Sequence, residues 1–187
     1  MHGLGSVRTI LLTAGACGLA AALWTIATAT PPAAQRPAAF APEINDAQRA
    51  ADAAGRGDIQ RAITLQTRWL DESPRDSIGW HTLGHYHATA DNLDAARTAW
   101  FRAVELQSHM ADRTQRPGDW YRLARFHAAL GDAEATIDSL SRAAAAGWSR
   151  AEQALHEPTF TFIREDQRFG QIIDAMRSNP SNGRTGV

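Results

Sequence analysis

Trp80-His81-Thr82-Leu83-Gly84-His85-Tyr86-His87, followed by Ala96, Trp100 and Ala103, is the stretch that decides the fold. The same arrangement returns as Trp120, Leu123, Ala124 and His127, followed by Thr136, Leu140 and Ala143. Within each copy the order is large apolar, apolar, small, ring, then small, large, small, at identical spacings. A repeated unit of this kind marks helical hairpins stacked on copies of themselves. The spacing carries its own packing scheme. Small residues at Gly84, Ala96, Ala103 and Ala124 let the helices approach, and Trp80, Trp100 and Trp120 fill the space between successive hairpins.

Working outward, apolar residues at helical spacing predict seven helices, at about 44–54, 58–70, 77–90, 93–110, 118–130, 133–146 and 167–177. Ser73-Pro74 ends the second, because proline pushes the residue before it out of the α region. Asp76 or Ser77 and then Asp132 and Asp166 can cap helix starts, and Gly131 tolerates a positive φ in its turn. No stretch of useful length has the two-residue period of a strand. Short links between helices imply antiparallel neighbours. The fold class expected is all-α.

The 187-residue chain carries a formal net charge of -1, so no nucleic-acid or polyanion partner is implied. All 19 basic residues are arginine, a compositional bias rather than a functional signal. The one cysteine, Cys17, leaves the rest of the chain without a disulfide, a thiolate metal site or a cysteine nucleophile. Residues 1–29 read as a targeting segment. After Arg8 an uncharged apolar run extends from Ile10 to Ala29 and ends in Ala27-Thr28-Ala29. That is a small-x-small site suited to a signal peptidase, on a run long enough to span a bilayer. A cleaved signal peptide and an uncleaved anchor both fit, and Leu12 to Cys17 weakly resembles a lipoprotein box. Each places the rest of the chain outside the cytoplasm, periplasmic or secreted. Residues 30–42 form a Pro/Ala-rich spacer, and residues 178–187 a polar, turn-forming tail.

The repeated unit resembles the tetratricopeptide repeat, whose length is about 34 residues. Residues 77–110 carry the resemblance best. Residues 43–76 form a weaker copy through Gly57, Ala62 and Pro74, with Trp69 where alanine is usual. Residues 117–150 form a third through Trp120, Leu123, Ala124, Gly131 and Ala143. Residues 111–116 are extra, either lengthening the preceding helix or forming a loop. Residues 151–177 resemble the segment that closes many such arrays, with Gln167 in place of its usual proline. There Phe160, Ile163, Phe169, Ile172 and Ile173 would cover the open face left by the last hairpin.

The resemblance implies a right-handed superhelical solenoid of antiparallel helix pairs whose first helices line a concave groove for a protein or peptide partner. Carried over position by position, that groove comprises Ile78, His81, His85, Thr89, Tyr121 and Arg125. Ala129 follows on the third copy, and Ile44, Ala47, Ala51 and Ala54 on the first. Arg125 could hold a carboxylate through paired hydrogen bonds. The Lys and Asn pairs of chaperone-binding members are absent. Within the same class stands a cytochrome c maturation-type factor that holds an unfolded apoprotein. Outside it stands a structural subunit of an envelope complex, binding through its convex face or the Trp148–Phe162 region.

His81 and His85 have the spacing of helical metal ligands but no third ligand at hand beyond Asp91 and His109, so two groove histidines are expected, and no metal. His87 and His127 are expected to pack as flat rings. Trp69, Trp80, Trp100 and Trp120 are expected in the core, and Trp148 lies in the turn before the closing segment. No catalytic constellation, phosphate loop or dinucleotide fingerprint is visible. No enzyme activity and no cofactor are expected.

Overall fold

The chain divides into two units, residues 1–41 and 42–187. The computed structural model describes residues 44–179, all within the second unit. The expected targeting segment, the spacer and most of the tail lie outside the described residues. Among those that are described, every regular element is helical. None of these helices is long and apolar enough to cross a membrane.

The elements are α1 (Asp46–Gly55), α2 (Ile59–Glu72), α3 (Ser77–Thr89), α4 (Leu93–Thr114), α5 (Pro117–Ala129), α6 (Ala133–Ala145), α7 (Ala151–His156), a 3-10 helix (Pro158–Ile163) and α8 (Gln167–Arg177). Each of the first five packs on the next in sequence, most extensively as α1 on α2, α3 on α4 and α5 on α6. The 3-10 helix then packs on α5, α6 and α7, and α8 closes on α6 and α7.

One turn closes all three pairs. After α1, Gly57 takes φ +82°, its N–H bonds Ala54 O at 2.9 Å, and the N–H of Asp58 bonds Ala53 O at 2.9 Å. After α3, Asp91 takes φ +57° with the matching bonds to Ala88 O and His87 O at 3.1 and 2.9 Å. After α5, Gly131 takes φ +73° with bonds from Gly131 and Asp132 to Ala128 O and His127 O at 3.0 and 3.1 Å. This left-handed ending satisfies carbonyls that a helix end leaves without partners. The residue after each left-handed one caps the next helix. Asp58, Asn92 and Asp132 accept from the N–H groups of Arg61, Ala95 and Ala135 at 3.2, 3.4 and 3.0 Å. The same ending recurs at Gly147, but Trp148 follows it and offers no cap, so the pairing stops there.

A second repeated device joins the pairs. Buried Gln66 on α2 donates to Gly79 O at 3.2 Å. Buried Gln107 on α4 donates to Asp119 O at 3.1 Å and accepts from Ser77 Oγ at 2.8 Å. Each amide grips the first turn of the next helix. Residues 111–114 lengthen α4, with Ala111 buried, and Gln115 at φ +52° and Arg116 form the link to α5. Gln107 consequently lies about two turns further from its helix start than Gln66 does, which returns it to the same face.

The small-residue contact is direct. A Cβ at Gly84 would overlap the Trp100 ring, whose Nε1 donates to His81 O at 3.2 Å. Of the four tryptophans expected in the core, only Trp120 is fully buried; Trp69, Trp80 and Trp100 are half-buried. The N–H group of each of these three reaches an acceptor, Trp100 at His81 O and the other two nearer the surface. Trp69 donates to Asp76 Oδ2 and Trp80 to Pro74 O. A polar tip that must be satisfied keeps an indole near the surface.

The apolar core is uneven. The largest cluster joins Trp120, Tyr121, Leu123, Ile137 and Leu140 to Phe160, Ile163, Phe169, Ile172, Ile173 and Met176. The first pair contributes only a small cluster of Ala50, Ala53, Ala62 and Leu65. α7 and the 3-10 helix add to the seven helices expected. Six residues each is too short for an apolar period to register, yet Ala151, Ala154, Phe160 and Ile163 are buried. Ser178 and Asn179, placed in the tail by sequence, continue from α8, and Asn179 Nδ2 donates to Ala144 O at 3.4 Å.

Asp91 occupies the left-handed position that glycine fills in the other two turns. Asp91→Gly is expected to raise stability by about 0.5–1 kcal/mol, because glycine has no Cβ to resist a positive φ. Urea unfolding checks this, and a loss of stability would contradict the shared turn.

Candidate functional site

α3 and α5 meet through His81 and Phe126. The two rings stack with centroids 4.2 Å apart at 20°. His81 is on the inner side of α3 because Leu83, Gly84 and the Trp100 contact fix which face turns inward. One turn on, His85 presents its ring edge-on to His81, with the two Nε2 atoms 3.2 Å apart. One ring donates and the other accepts, the roles following the tautomers. His85 also meets Trp100 edge-on at 5.4 Å.

Arg125 and Tyr121 are one turn apart on α5. Tyr121 is 4 % exposed, stacked on Trp148 at 4.4 Å and 13°, with Phe160 edge-on at 5.8 Å. Its hydroxyl and the Trp148 indole nitrogen are buried and find no hydrogen-bond partner among the described residues. Arg125 Nε lies 3.1 Å from Glu157 Oε2. Glu157 joins α7 to the 3-10 helix, and its other carboxylate oxygen accepts from Thr159 Oγ1 at 3.1 Å.

The electrostatics follow. Burial, then the nearby positive potentials of His85 and Arg125, push His81 down to about 3. Partial desolvation and the Arg125 charge lower His85 as well. Burial lowers His87 and His127. Tyr121 is pushed up to about 12 by burial first and the Glu157 carboxylate second, with Arg125 opposing. At neutral pH the face therefore carries two neutral imidazoles, a neutral phenol and one compensated ion pair.

Of the six residues carried over to a groove, Ile78, His85 and Thr89 are exposed along α3, and the Arg125 side chain is partly exposed although its Nε is buried. His81 and Tyr121 are buried beneath them, because each ring supplies a contact between elements. Neither is open to a ligand in this conformation. Arg125, expected to offer its guanidinium to a partner's carboxylate, already pairs with the Glu157 carboxylate of the chain itself. Sequence reasoning missed Glu157, Phe126 and Trp148 as members of this cluster. Nothing local marks Glu157, whose partner is far off in the chain. Among the described residues no three His, Cys, Asp or Glu side chains are placed to hold a metal ion.

The pH dependence has a defined sign. An unfolded histidine titrates near about 6.5. Between that value and about 3 the unfolded chain binds the proton that buried His81 refuses, so stability falls as pH drops through this window. For His81 alone the loss by pH 5 is on the order of 2 kcal/mol. His85, His87 and His127 act in the same direction. Urea unfolding at pH 7.5 and pH 5 should show this loss, and His81→Phe should remove a large part of it; equal slopes in both proteins would contradict the assignment. Scanned against family models the chain finds none that matches, and a search of curated proteins returns no match.

Proposed function

We propose that this chain is an extracytoplasmic adaptor of the tetratricopeptide type, a solenoid of antiparallel helix pairs that binds a protein or peptide partner along the face of α3 and α5. The observation that carries the reading is the exposed row of Ile78, His85 and Thr89 beside the partly exposed Arg125. Three pairs closed by one turn type, and two buried glutamines gripping successive helices, support a stack of like units. A rigid surface of that kind binds by preorganisation, leaving the ordering entropy to an extended partner. Its role is binding rather than catalysis. The apolar run at residues 10–29 supports an extracytoplasmic location, by signal cleavage or anchoring.

A second reading has its own observation. Phe101 on α4 and Phe162 on the 3-10 helix are exposed at 62 % and 48 %. They favour a structural subunit that binds through the outer side of the pairs or the closing segment. Two double variants separate the readings in quantitative affinity capture from the native membrane and soluble fractions. Ile78→Asp with His85→Ala should reduce a specific partner at least about tenfold, while Phe101→Ala with Phe162→Ala should leave it bound. The reverse pattern would overturn the groove reading. Mass spectrometry of the same material reports the mature N-terminus.

A further inference from the structure

The contact between Arg125 and Glu157 places the group that a cationic groove would recognise inside the chain itself. Glu157 is the residue at which α7 gives way to the 3-10 helix. One of its carboxylate oxygens is 3.1 Å from Arg125 Nε, an ion pair in which Nε makes no hydrogen bond, and the other accepts from Thr159 Oγ1 at 3.1 Å. Its backbone oxygen accepts from Arg164 at 3.4 Å, so the backbone can stay where it is when the side chain swings out. The Arg125 side chain is 41 % exposed, while its Nε is buried behind Glu157 and without a hydrogen-bond partner. Beside it the Tyr121 hydroxyl is buried with no partner, on a side chain that senses both Glu157 and Arg125. A buried donor without an acceptor is costly and calls for a ligand that supplies one.

We propose that Arg125 and Tyr121 form a binding site for a carboxylate carried by the partner, and that Glu157 fills this site from within the chain until that carboxylate displaces it. The proposal rests on the reading of this face as a groove and gives its partner a chemistry. An incoming carboxylate replaces Glu157 as the ion-pair partner of Arg125, can take the hydrogen bond that Arg125 Nε lacks, and gains the Tyr121 hydroxyl as a second donor. Glu157 leaves for water, where a carboxylate is well solvated. The exchange trades like for like, so modest extra contacts elsewhere in the groove decide it. It also links binding to the closing segment, because the tie between α5 and the α7/3-10 junction opens when the partner binds.

Acetate is the probe. In the full chain, nitrogen-15 NMR follows the Arg125 Nε–H and Trp148 Nε1–H signals as acetate is added, with chloride at equal ionic strength as control. Glu157→Gln, which keeps the size and shape of the side chain, is expected to half-saturate at no more than about a tenth of the acetate the unaltered chain needs. Thr159→Ala, which loosens only one hold on Glu157, should lower the requirement a few-fold and serves if the first variant fails to fold. Arg125→Gln added to either should abolish the response. Acetate acting as chloride does, or an unchanged half-saturation in both variants, overturns the proposal.

Two peptides then distinguish the source of the carboxylate by displacing acetate. Acetyl-(Ala-Glu)5-amide offers side-chain carboxylates, and acetyl-(Ala-Gln)5 offers only a free terminus. Displacement by either supports the proposal and names the source, whereas a site that takes acetate and excludes both overturns it. The capture experiment on Ile78 and His85 leaves Arg125 untouched, so failure of the groove reading and failure of the carboxylate site are seen separately.

Discussion

Close approach of helices through small side chains is the constraint on which this structure depends. Gly84 admits the Trp100 ring, and Ala96, Ala99 and Ala103 bury the facing side of α4 without holding α3 away. Gly79 does the same between pairs: a Cβ there would stand 2.7 Å from Asp76 Oδ2 and 2.9 Å from a Leu70 methyl. With so little bulk at the contacts, apolar area per residue is modest in the first two pairs. Turn and capping geometry must set their register. The shared left-handed ending, the Asp or Asn cap after it and the buried glutamine of each junction supply that register at fixed places. None of these devices depends on a deep core.

The core deepens toward the C-terminus, with consequences for the candidate site. Phe160, Leu140 and Met176 are among the most completely buried side chains, and all lie where α5 and α6 meet the closing elements. Arg125, Tyr121 and Glu157 sit at the margin of this firm region, whereas Ile78, His85 and Thr89 belong to the thinner middle pair. A partner lying across α3 and α5 would bridge a more deformable half and a more rigid one. Local stability in small helical units follows their buried contacts. The closing segment therefore both stabilises the third pair and, through Glu157, sets a carboxylate against its cation.

Much of the fold was legible because it rests on local signals. Pro74, Gly131 and Asp132 marked boundaries, and the Trp80 and Trp120 copies fixed the pairs. The apolar stripe of residues 167–177 gave the last helix its bounds. What stayed hidden needs tertiary knowledge. Asp91 in a left-handed turn looks like any polar residue until Gly57 and Gly131 are set beside it. Gln66 and Gln107 carry no local mark of burial, although each follows a buried alanine, Ala62 and Ala103, by one helical turn. The candidate site was legible only as a row of positions. Spacing placed His81 and Tyr121 on the same helices as His85 and Arg125, but could not tell a ring that packs inward from one that faces solvent. The partner of Arg125 was beyond any local pattern.

The most direct test of the packing account is urea unfolding of Gly84→Leu at neutral pH. The side chain at that position has nowhere to go except into the Trp100 ring, so α3 and α4 must separate or the indole must leave its place. A loss of about 1–3 kcal/mol is expected for such overpacking. A variant as stable as the unaltered chain would contradict the claim that these helices are held at the distance set by glycine and alanine.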